Sequence, residues 1–130
     1  MKQSKYGVMK KDFESEREWL AAHQRAYRAT PDGQAHVRRM NLKKKGITPE
    51  QYDEMLAAQD YKCAVCQRTD NVLRQGKMQS FCVDHNRSCC PGDNSCGKCV
   101  RGLLCHNCNR AEGLLNGNAK ALVQYLERYK

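Results

Sequence analysis

Cysteine pairs are the residues of this chain whose type and spacing point most directly to chemistry. The chain has 130 residues and nine cysteines, seven of them between residues 82 and 109. Two CxxC pairs, Cys63 with Cys66 and Cys105 with Cys108, are separated by 38 residues. A CxxC turn presents two sulfurs to one metal ion, and two such turns complete a tetrahedral four-cysteine site. We call these cysteines the first tetrad and predict that they hold structural zinc; a thioredoxin-like redox pair would need a βαβ setting that the sequence does not indicate.

Four further cysteines lie between the two CxxC pairs and form a candidate second zinc site. They occur in a segment rich in turn residues. Adjacent cysteines are awkward as ligands of one metal, because neighbouring side chains tend to point apart. A disulfide or free thiols therefore remain as alternatives. The ninth cysteine, Cys82, lies between two apolar residues and is expected to be a buried strand thiol. We call the four candidate ligands the second tetrad: Cys89, Cys90, Cys96 and Cys99.

An acid and an imidazole, Asp84 and His85, are the last two residues of a short apolar strand that begins at Phe81. A second short strand leads to the CxxC pair at Cys105, and a helix follows it. On that helix Asn109 and Glu112 are three residues apart and share a face. The order strand, loop, strand, helix thus predicts an acid–imidazole pair and two further oxygen donors near one another.

The remaining elements are predicted from caps, turn residues and apolar spacing. Thr48, Pro49 and Gln51 form a strong helix start with a capping box, and Asn118 is expected to cap the last helix. We expect residues 1–46 to form a basic helical arm and residues 47–130 a compact domain. The predicted helices cover residues 10–29, 34–45, 49–59, 106–115 and 119–130, and the predicted strands cover residues 81–85 and 100–105.

The net charge favours a polyanionic partner, most simply nucleic acid. The formal charge is +9, and residues 34–48 contain five lysines or arginines and no acid. A solvated helical face is the alternative for this stretch, but phosphate contact suits a basic chain better. The residues predicted to contact DNA here are Arg38, Arg39, Lys43, Lys44 and Lys45.

The chain is expected to be intracellular and without a membrane span. No apolar run approaches the roughly 18 residues of a transmembrane helix, and the N-terminus lacks the apolar core of a secretory signal. In a reducing compartment, cysteines at CxxC spacing are more often zinc ligands than disulfides. An odd number of cysteines also disfavours a secreted, disulfide-knotted protein.

The motifs CAVC, VDH, VRGLLCHNCN and RAEGLL resemble those of the HNH nucleases, specifically the phage recombination endonuclease VII family, over about residues 47 to 116. The resemblance implies a small α+β fold with a ββα-metal core pinned by zinc. It also implies that Asp84 and Asn109 hold a catalytic Mg²⁺, that His85 is the general base and that Glu112 is a further acidic site residue. The family cuts branched DNA, so the resemblance implies a DNA endonuclease.

The ligand types agree with this implication. A neutral imidazole, with a pKa near 6.5, can accept the proton of an attacking water. Carboxylate and amide oxygens suit Mg²⁺ or Mn²⁺, whereas thiolates select zinc. The alternative function is a zinc-stabilised DNA-binding regulator that does not cut. A regulator would have no need of Asp84, His85 and Asn109 together.

The chain departs from the family pattern where many members read DHDH. Here the sequence reads Asp84-His85-Asn86-Arg87. Asn86 could orient a water or bind the cleaved strand, and Arg87 could hold a phosphate. Helices beyond the zinc site mediate dimerisation in the family, so a homodimer is left open. The further candidate phosphate clamps are Arg101 and Arg110, with simple exposure as the alternative for all three arginines.

Overall fold

In chain order, helices precede and follow a single short β-hairpin in the part of the chain that the computed structural model describes, residues 6–73, 75–115 and 117–129. Within these ranges there are five α-helices and one two-stranded antiparallel sheet, which confirms the predicted α+β class. The chain divides into two compact units, Met1–Lys43 and Lys44–Lys130. Residues 1–5 of the predicted arm and residue 130 of the predicted last helix lie outside the described residues. None of the described helices is long and apolar enough to cross a membrane.

The first unit contains α1, Glu16–Arg28, and most of α2, Pro31–Lys44. The helix predicted over residues 10–29 is broken, because only Lys10–Asp12 form a short 3₁₀ turn before α1 begins. Ser15 ends this break by capping α1, since its hydroxyl accepts a hydrogen bond from the Glu18 N–H at 3.2 Å.

The second helix begins three residues earlier than predicted. Thr30 caps it, because its hydroxyl accepts the N–H of Gly33 at 3.0 Å, and Pro31 takes the first helical position. A Cβ atom at Gly33 would overlap the carbonyl oxygen of Tyr27 at the end of α1. Gly33 therefore permits the close turn between the two helices and does not interrupt α2.

The second unit starts with the predicted capping box and α3, Pro49–Ala58. The Thr48 hydroxyl accepts the Gln51 N–H at 3.1 Å, and the Gln51 side chain accepts the Thr48 N–H at 2.8 Å. Tyr52 of α3 is buried, and its hydroxyl donates to the carbonyl of Phe81 at 2.8 Å. This bond ties α3 to the residue that precedes the hairpin.

The hairpin consists of β1, Cys82–His85, and β2, Val100–Leu104. Asp84 pairs with Gly102 and His85 with Val100, so β2 carries one extra residue, Arg101, at a bulge. Gln59 covers the free edge of β2, because its side-chain amide both accepts from the Leu103 N–H and donates to the Leu103 carbonyl at 2.9 Å. The fully buried Leu103 then anchors the hairpin in the small core.

Two helices complete the chain. Helix α4, His106–Leu115, has the predicted bounds and packs against both strands. The last helix, α5, covers Ala119–Glu127, but the side chain of its N-cap residue Asn118 makes no capping hydrogen bond. Four large apolar residues in α5 and just after it are exposed: Leu122, Val123, Leu126 and Tyr129.

Candidate metal centres and active site

The first tetrad converges as its spacing predicts. The sulfur atoms of Cys63, Cys66, Cys105 and Cys108 all lie within 4.8 Å of one another. The Sγ atoms of Cys66 and Cys105 are 3.7 Å apart. Tetrahedral zinc with Zn–S bonds of about 2.3 Å places its sulfurs about 3.8 Å apart. The first tetrad could therefore hold zinc with little rearrangement.

Backbone donors surround these sulfurs. The N–H of Cys105 donates to the Cys63 sulfur at 3.3 Å, and the N–H of Cys108 donates to the Cys105 sulfur at 3.5 Å. Burial raises the pKa of Cys63, but the backbone N–H groups outweigh it and lower that pKa to about 6. Burial and the neighbouring thiols raise the pKa of Cys108 to about 12. The Cys63 thiol therefore loses its proton readily. A cation such as zinc would favour loss of the proton from Cys108 beside it.

The second tetrad also converges. Its four sulfurs lie within 4.8 Å of one another, and the sulfurs of the adjacent Cys89 and Cys90 are 3.9 Å apart. The side chains that sequence reasoning expected to diverge are thus brought together by the turn. All nine cysteines, each within the described residues, are free of disulfides. Cys82 is a half-buried strand thiol, and burial raises its pKa.

The acid and the imidazole are both buried at the end of β1. Asp84 is 7% exposed and His85 is 4% exposed. Successive strand residues normally point to opposite faces. The bulge between Asp84 and His85 interrupts that alternation, and both side chains are buried.

Arg101 of β2 connects three elements of the site, because it bonds to residues of β1 and of α4. This role was not predicted from the sequence. The Arg101 Nε and Nη2 atoms donate to the two carboxylate oxygens of Asp84 at 2.8 and 3.1 Å. The same Nη2 lies 2.7 Å from Glu112 Oε1 and 3.3 Å from the carbonyl of His85. The hydrogen bonds that Arg101 donates to Asp84 and Glu112 raise its pKa, so the guanidinium stays charged. The predicted phosphate clamp is therefore paired with two site carboxylates in this structure.

The ring of His85 is held by a backbone carbonyl. Its Nε2 atom lies 2.9 Å from the carbonyl oxygen of Cys90. A carbonyl only accepts, so Nε2 carries the proton and Nδ1 of the neutral ring is left as an acceptor. The types of the side chains could not have predicted this contact, because the partner of His85 is the backbone carbonyl of Cys90.

A cavity of about 190 Å³ opens beside these residues. Arg87 forms part of its wall next to Gly113, where an added Cβ atom would lie 3.7 Å from Arg87 Nη2. Within the described part of the chain, Glu112 Oε2 is buried without a hydrogen-bond partner. A cation could satisfy this oxygen. The residues that line the cavity are Asn86, Arg87, Ser88, Arg101, Glu112, Gly113 and Gly117.

The other predicted site residues are placed as follows. Asn109 is half-buried on α4, one turn before Glu112, and its role as a metal ligand stays a prediction. Arg110 is exposed on the same helix. Lys45 is half-buried and donates to the carbonyl of Asp93. The four remaining basic residues of the predicted DNA-contacting stretch are exposed: Arg38, Arg39, Lys43 and Lys44.

Comparison with known proteins agrees with the motifs. A family model described as Recombination endonuclease VII matches residues 38–128. The Gene 59 protein of Mycobacterium phage D29 is 32% identical over 108 residues, which cover 83% of this chain and 55% of that protein. The Gene 59 protein of Mycobacterium phage L5 is 33% identical over 108 residues, 83% of this chain and 56% of that protein. The chain spans about half the length of the curated relatives it matches, and no solved structure matches it. Because the family match covers well over half of the residues, the chain belongs to the recombination endonuclease VII family.

Proposed function

We propose that this protein is a metal-dependent DNA endonuclease of the HNH type that hydrolyses phosphodiester bonds. Family membership supports a nuclease. The observation that carries the proposal is the meeting of Asp84 and Glu112 on one nitrogen of Arg101, which also donates to the backbone carbonyl of His85. Two carboxylates held together at the end of a strand that also carries an imidazole offer metal ligands and a general base for phosphodiester hydrolysis, and a protein that only binds DNA has no need of them.

The residues fit a hard divalent cation such as Mg²⁺ or Mn²⁺. Asp84 and Glu112 supply carboxylate oxygens, which these ions prefer. Arg101 Nη2 lies 3.1 Å from Asp84 Oδ1 and 2.7 Å from Glu112 Oε1. The two carboxylate oxygens can therefore be no farther apart than the sum of these two distances. The buried Glu112 Oε2 also needs a positive partner. We assign Asp84 and Asn109 as ligands, with Glu112 assisting; a bound cation supplies neutralisation of the phosphate charge.

His85 is the general base in this proposal. Its Nε2–H is held by the Cys90 carbonyl, so Nδ1 is the atom that accepts the proton of the attacking water. Burial of the ring and the fixed carbonyl limit its rotation. A positioned base of this kind contributes about 10²- to 10⁴-fold to the rate.

Arg87 binds the phosphate in the cavity. It is exposed, lines the cavity wall and lies close to Gly113, where a phosphate could approach the backbone. A guanidinium can donate two parallel hydrogen bonds to phosphate oxygens. Arg101 is already paired with two carboxylates. Arg87 is therefore the better phosphate ligand of the two, and Asn86 beside it orients the water or the cleaved strand.

Zinc in the first tetrad would hold the hairpin to the helix. Cys63 and Cys66 follow α3, whereas Cys105 and Cys108 lie at the junction of β2 and α4. One ion on all four would fix the start of α4, and with it Asn109 and Glu112, relative to the strands. Structural zinc also contributes folding free energy directly, which suits a chain with so small a core.

The substrate in this proposal is DNA, with branched DNA preferred, as the family resemblance implies. The exposed basic residues of α2, with the half-buried Lys45 that follows it, would bind the phosphate backbone in a salt-dependent way. Relatives in Mycobacterium phages support a role inside an infected bacterium. The homodimer remains a prediction.

The proposal is tested by measuring binding and cleavage on the same labelled DNA. Wild-type protein and the His85→Ala variant are each incubated with a four-way junction and with a linear duplex of the same sequence. Binding is read by gel shift with Ca²⁺, and cleavage after Mg²⁺ is added. We expect both proteins to bind both substrates and only the wild type to cut, with the junction cut faster. Binding without cleavage by the wild type in Mg²⁺ or Mn²⁺ would favour the non-catalytic regulator, and equal cutting of both DNAs would refute only the branched preference.

A further inference from the structure

The loop between β1 and β2 contains the second tetrad and touches the proposed general base. We propose that Cys89, Cys90, Cys96 and Cys99 bind a second zinc ion, and that this ion positions His85 through the carbonyl of Cys90. The positioning half of this inference rests on the proposed function, while the metal site does not.

The sulfur geometry fits zinc and not a disulfide. Three sulfur pairs, Cys89 with Cys96, Cys89 with Cys90 and Cys96 with Cys99, are each 3.9 Å apart. Zinc with four sulfurs requires separations of about 3.8 Å, whereas a disulfide requires about 2.05 Å. The N–H of Cys96 also donates to the Cys90 sulfur at 3.3 Å, so the backbone of the loop already holds that sulfur among the other three.

The loop has no regular secondary structure to fix its shape. Residues 86–99 contain no helix or strand, and every one of them is exposed or half-exposed. Loops of this length without regular structure are uncommon in compact domains unless something orders them. A metal ion on four of its side chains would supply that order.

The outer side of the loop rests on the turn before α3. The N–H of Ser95 donates to the Lys44 carbonyl at 2.9 Å, and the Lys45 ammonium donates to the Asp93 carbonyl. Gly46 has φ +77°, and a Cβ atom there would overlap the backbone nitrogen of Gly97. This backbone-to-backbone contact holds the loop at one end of the tetrad.

The inner side of the loop reaches the active site. The N–H groups of Cys89 and Cys90 both donate to the carbonyl of Asn86 at 3.1 Å, and the Asn86 N–H donates to the Cys99 carbonyl at 3.0 Å. Cys90 then offers its sulfur to the tetrad and its carbonyl to His85 Nε2 at 2.9 Å. A metal that fixes the Cys90 side chain therefore restricts the carbonyl that sets the orientation and the protonated nitrogen of the His85 ring. The cysteines of the second tetrad are positioning residues in this inference.

The first test counts the metal ions in the full-length chain. Mass spectrometry of bound metal should give two zinc ions in the wild type and in the Cys82→Ala control, whose cysteine lies in neither tetrad. The Cys96→Ser/Cys99→Ser variant should keep one. Cadmium-113 NMR of the cadmium-loaded wild type gives an independent count and should show two tetrathiolate signals. One metal ion in the wild type by both methods would overturn the inference.

The second test reads the His85 ring directly by nitrogen-15 NMR. Wild type and Cys82→Ala should show a single form of His85, with the proton on Nε2. The double variant should show a mixture of the two neutral forms, with cleavage about 10- to 100-fold slower and DNA binding unchanged. If the double variant does not fold, a zinc chelator is titrated into the wild type, because the second tetrad is the more exposed and should lose its ion first. Loss of the first equivalent should then change the His85 signal.

The outcomes separate this inference from the proposed function. An unchanged His85 signal after loss of the second zinc would overturn the positioning role, whatever the cleavage rate. A wild-type protein with two zinc ions and one fixed form of His85 that failed to cut DNA would refute the nuclease proposal and leave the metal site supported.

Discussion

Replacing Arg101 with glutamine tests the pairing at the centre of the site. In wild type, Arg101 makes two hydrogen bonds to Asp84 and an ion pair with Glu112. Breaking a fully buried ion pair costs about 3–5 kcal/mol, whereas an exposed pair contributes about 0–1 kcal/mol. The Asp84 side chain is 9% exposed and the Arg101 side chain 46%, so solvent screens the pair partly. We therefore expect Arg101→Gln to lower the free energy of unfolding by about 1.5–3 kcal/mol when Mg²⁺ is absent.

The same substitution should increase the stabilisation of the folded protein by Mg²⁺. Without Arg101, Asp84 and Glu112 lose the cation that pairs them, and an added divalent ion meets no competitor. Mg²⁺ should thus stabilise Arg101→Gln more than wild type, by about 1.4 kcal/mol for each tenfold gain in affinity.

Urea unfolding of the zinc-loaded protein, with and without Mg²⁺, measures both effects. Arg68→Gln is the matched control, because Arg68 forms a longer ion pair with Asp70, at 3.8 Å, with both side chains 49% exposed. Its effect should stay below about 1 kcal/mol. If the two arginine variants lose the same stability, or if Mg²⁺ stabilises wild type and Arg101→Gln equally, the reasoning is wrong.

Three further substitutions test the supports of the site. Gly46→Ala should cost at least about 1–3 kcal/mol, because Gly46 has φ +77° and a Cβ atom would overlap Gly97; unchanged urea stability would mean that the loop does not rest on this turn. Tyr52→Phe removes the 2.8 Å hydrogen bond to the Phe81 carbonyl and should cost about 0.5–1.5 kcal/mol, measured by thermal unfolding; a gain in stability would contradict the contact. Cys105→Ser should remove the zinc of the first tetrad and the helical circular dichroism that comes from α3, α4 and α5, because structural zinc contributes folding free energy; a folded variant with that zinc retained would contradict the assignment.

The features that follow from local sequence were predictable. The first tetrad was found because each CxxC turn is a local structure and zinc needs only two of them. The capping box at Thr48 and the bounds of α4 were likewise set by neighbouring residues. The family was identified from motifs that combine these local signals.

The features that depend on long-range packing were not predictable. At the bulge, Arg101 has no partner residue in β1. This bulge depends on the register between the two strands, which the side-chain pattern of such short strands does not determine. The partner of His85 is a carbonyl, and a carbonyl has no signature in the sequence. Helix α2 starts earlier than predicted because Thr30 caps it and Pro31 takes its first position, which is possible only since Gly33 permits the close approach to Tyr27. The division into a basic arm over residues 1–46 and a nuclease domain stays a prediction.

The most direct test of the nuclease proposal is the single-turnover cleavage rate of supercoiled plasmid in Mg²⁺ by wild type, His85→Ala and Arg68→Gln. Removal of the general base should slow cleavage about 10²- to 10⁴-fold, while Arg68→Gln should cut like the wild type. Equal rates for wild type and His85→Ala, or no cleavage by the wild type, would contradict the proposal.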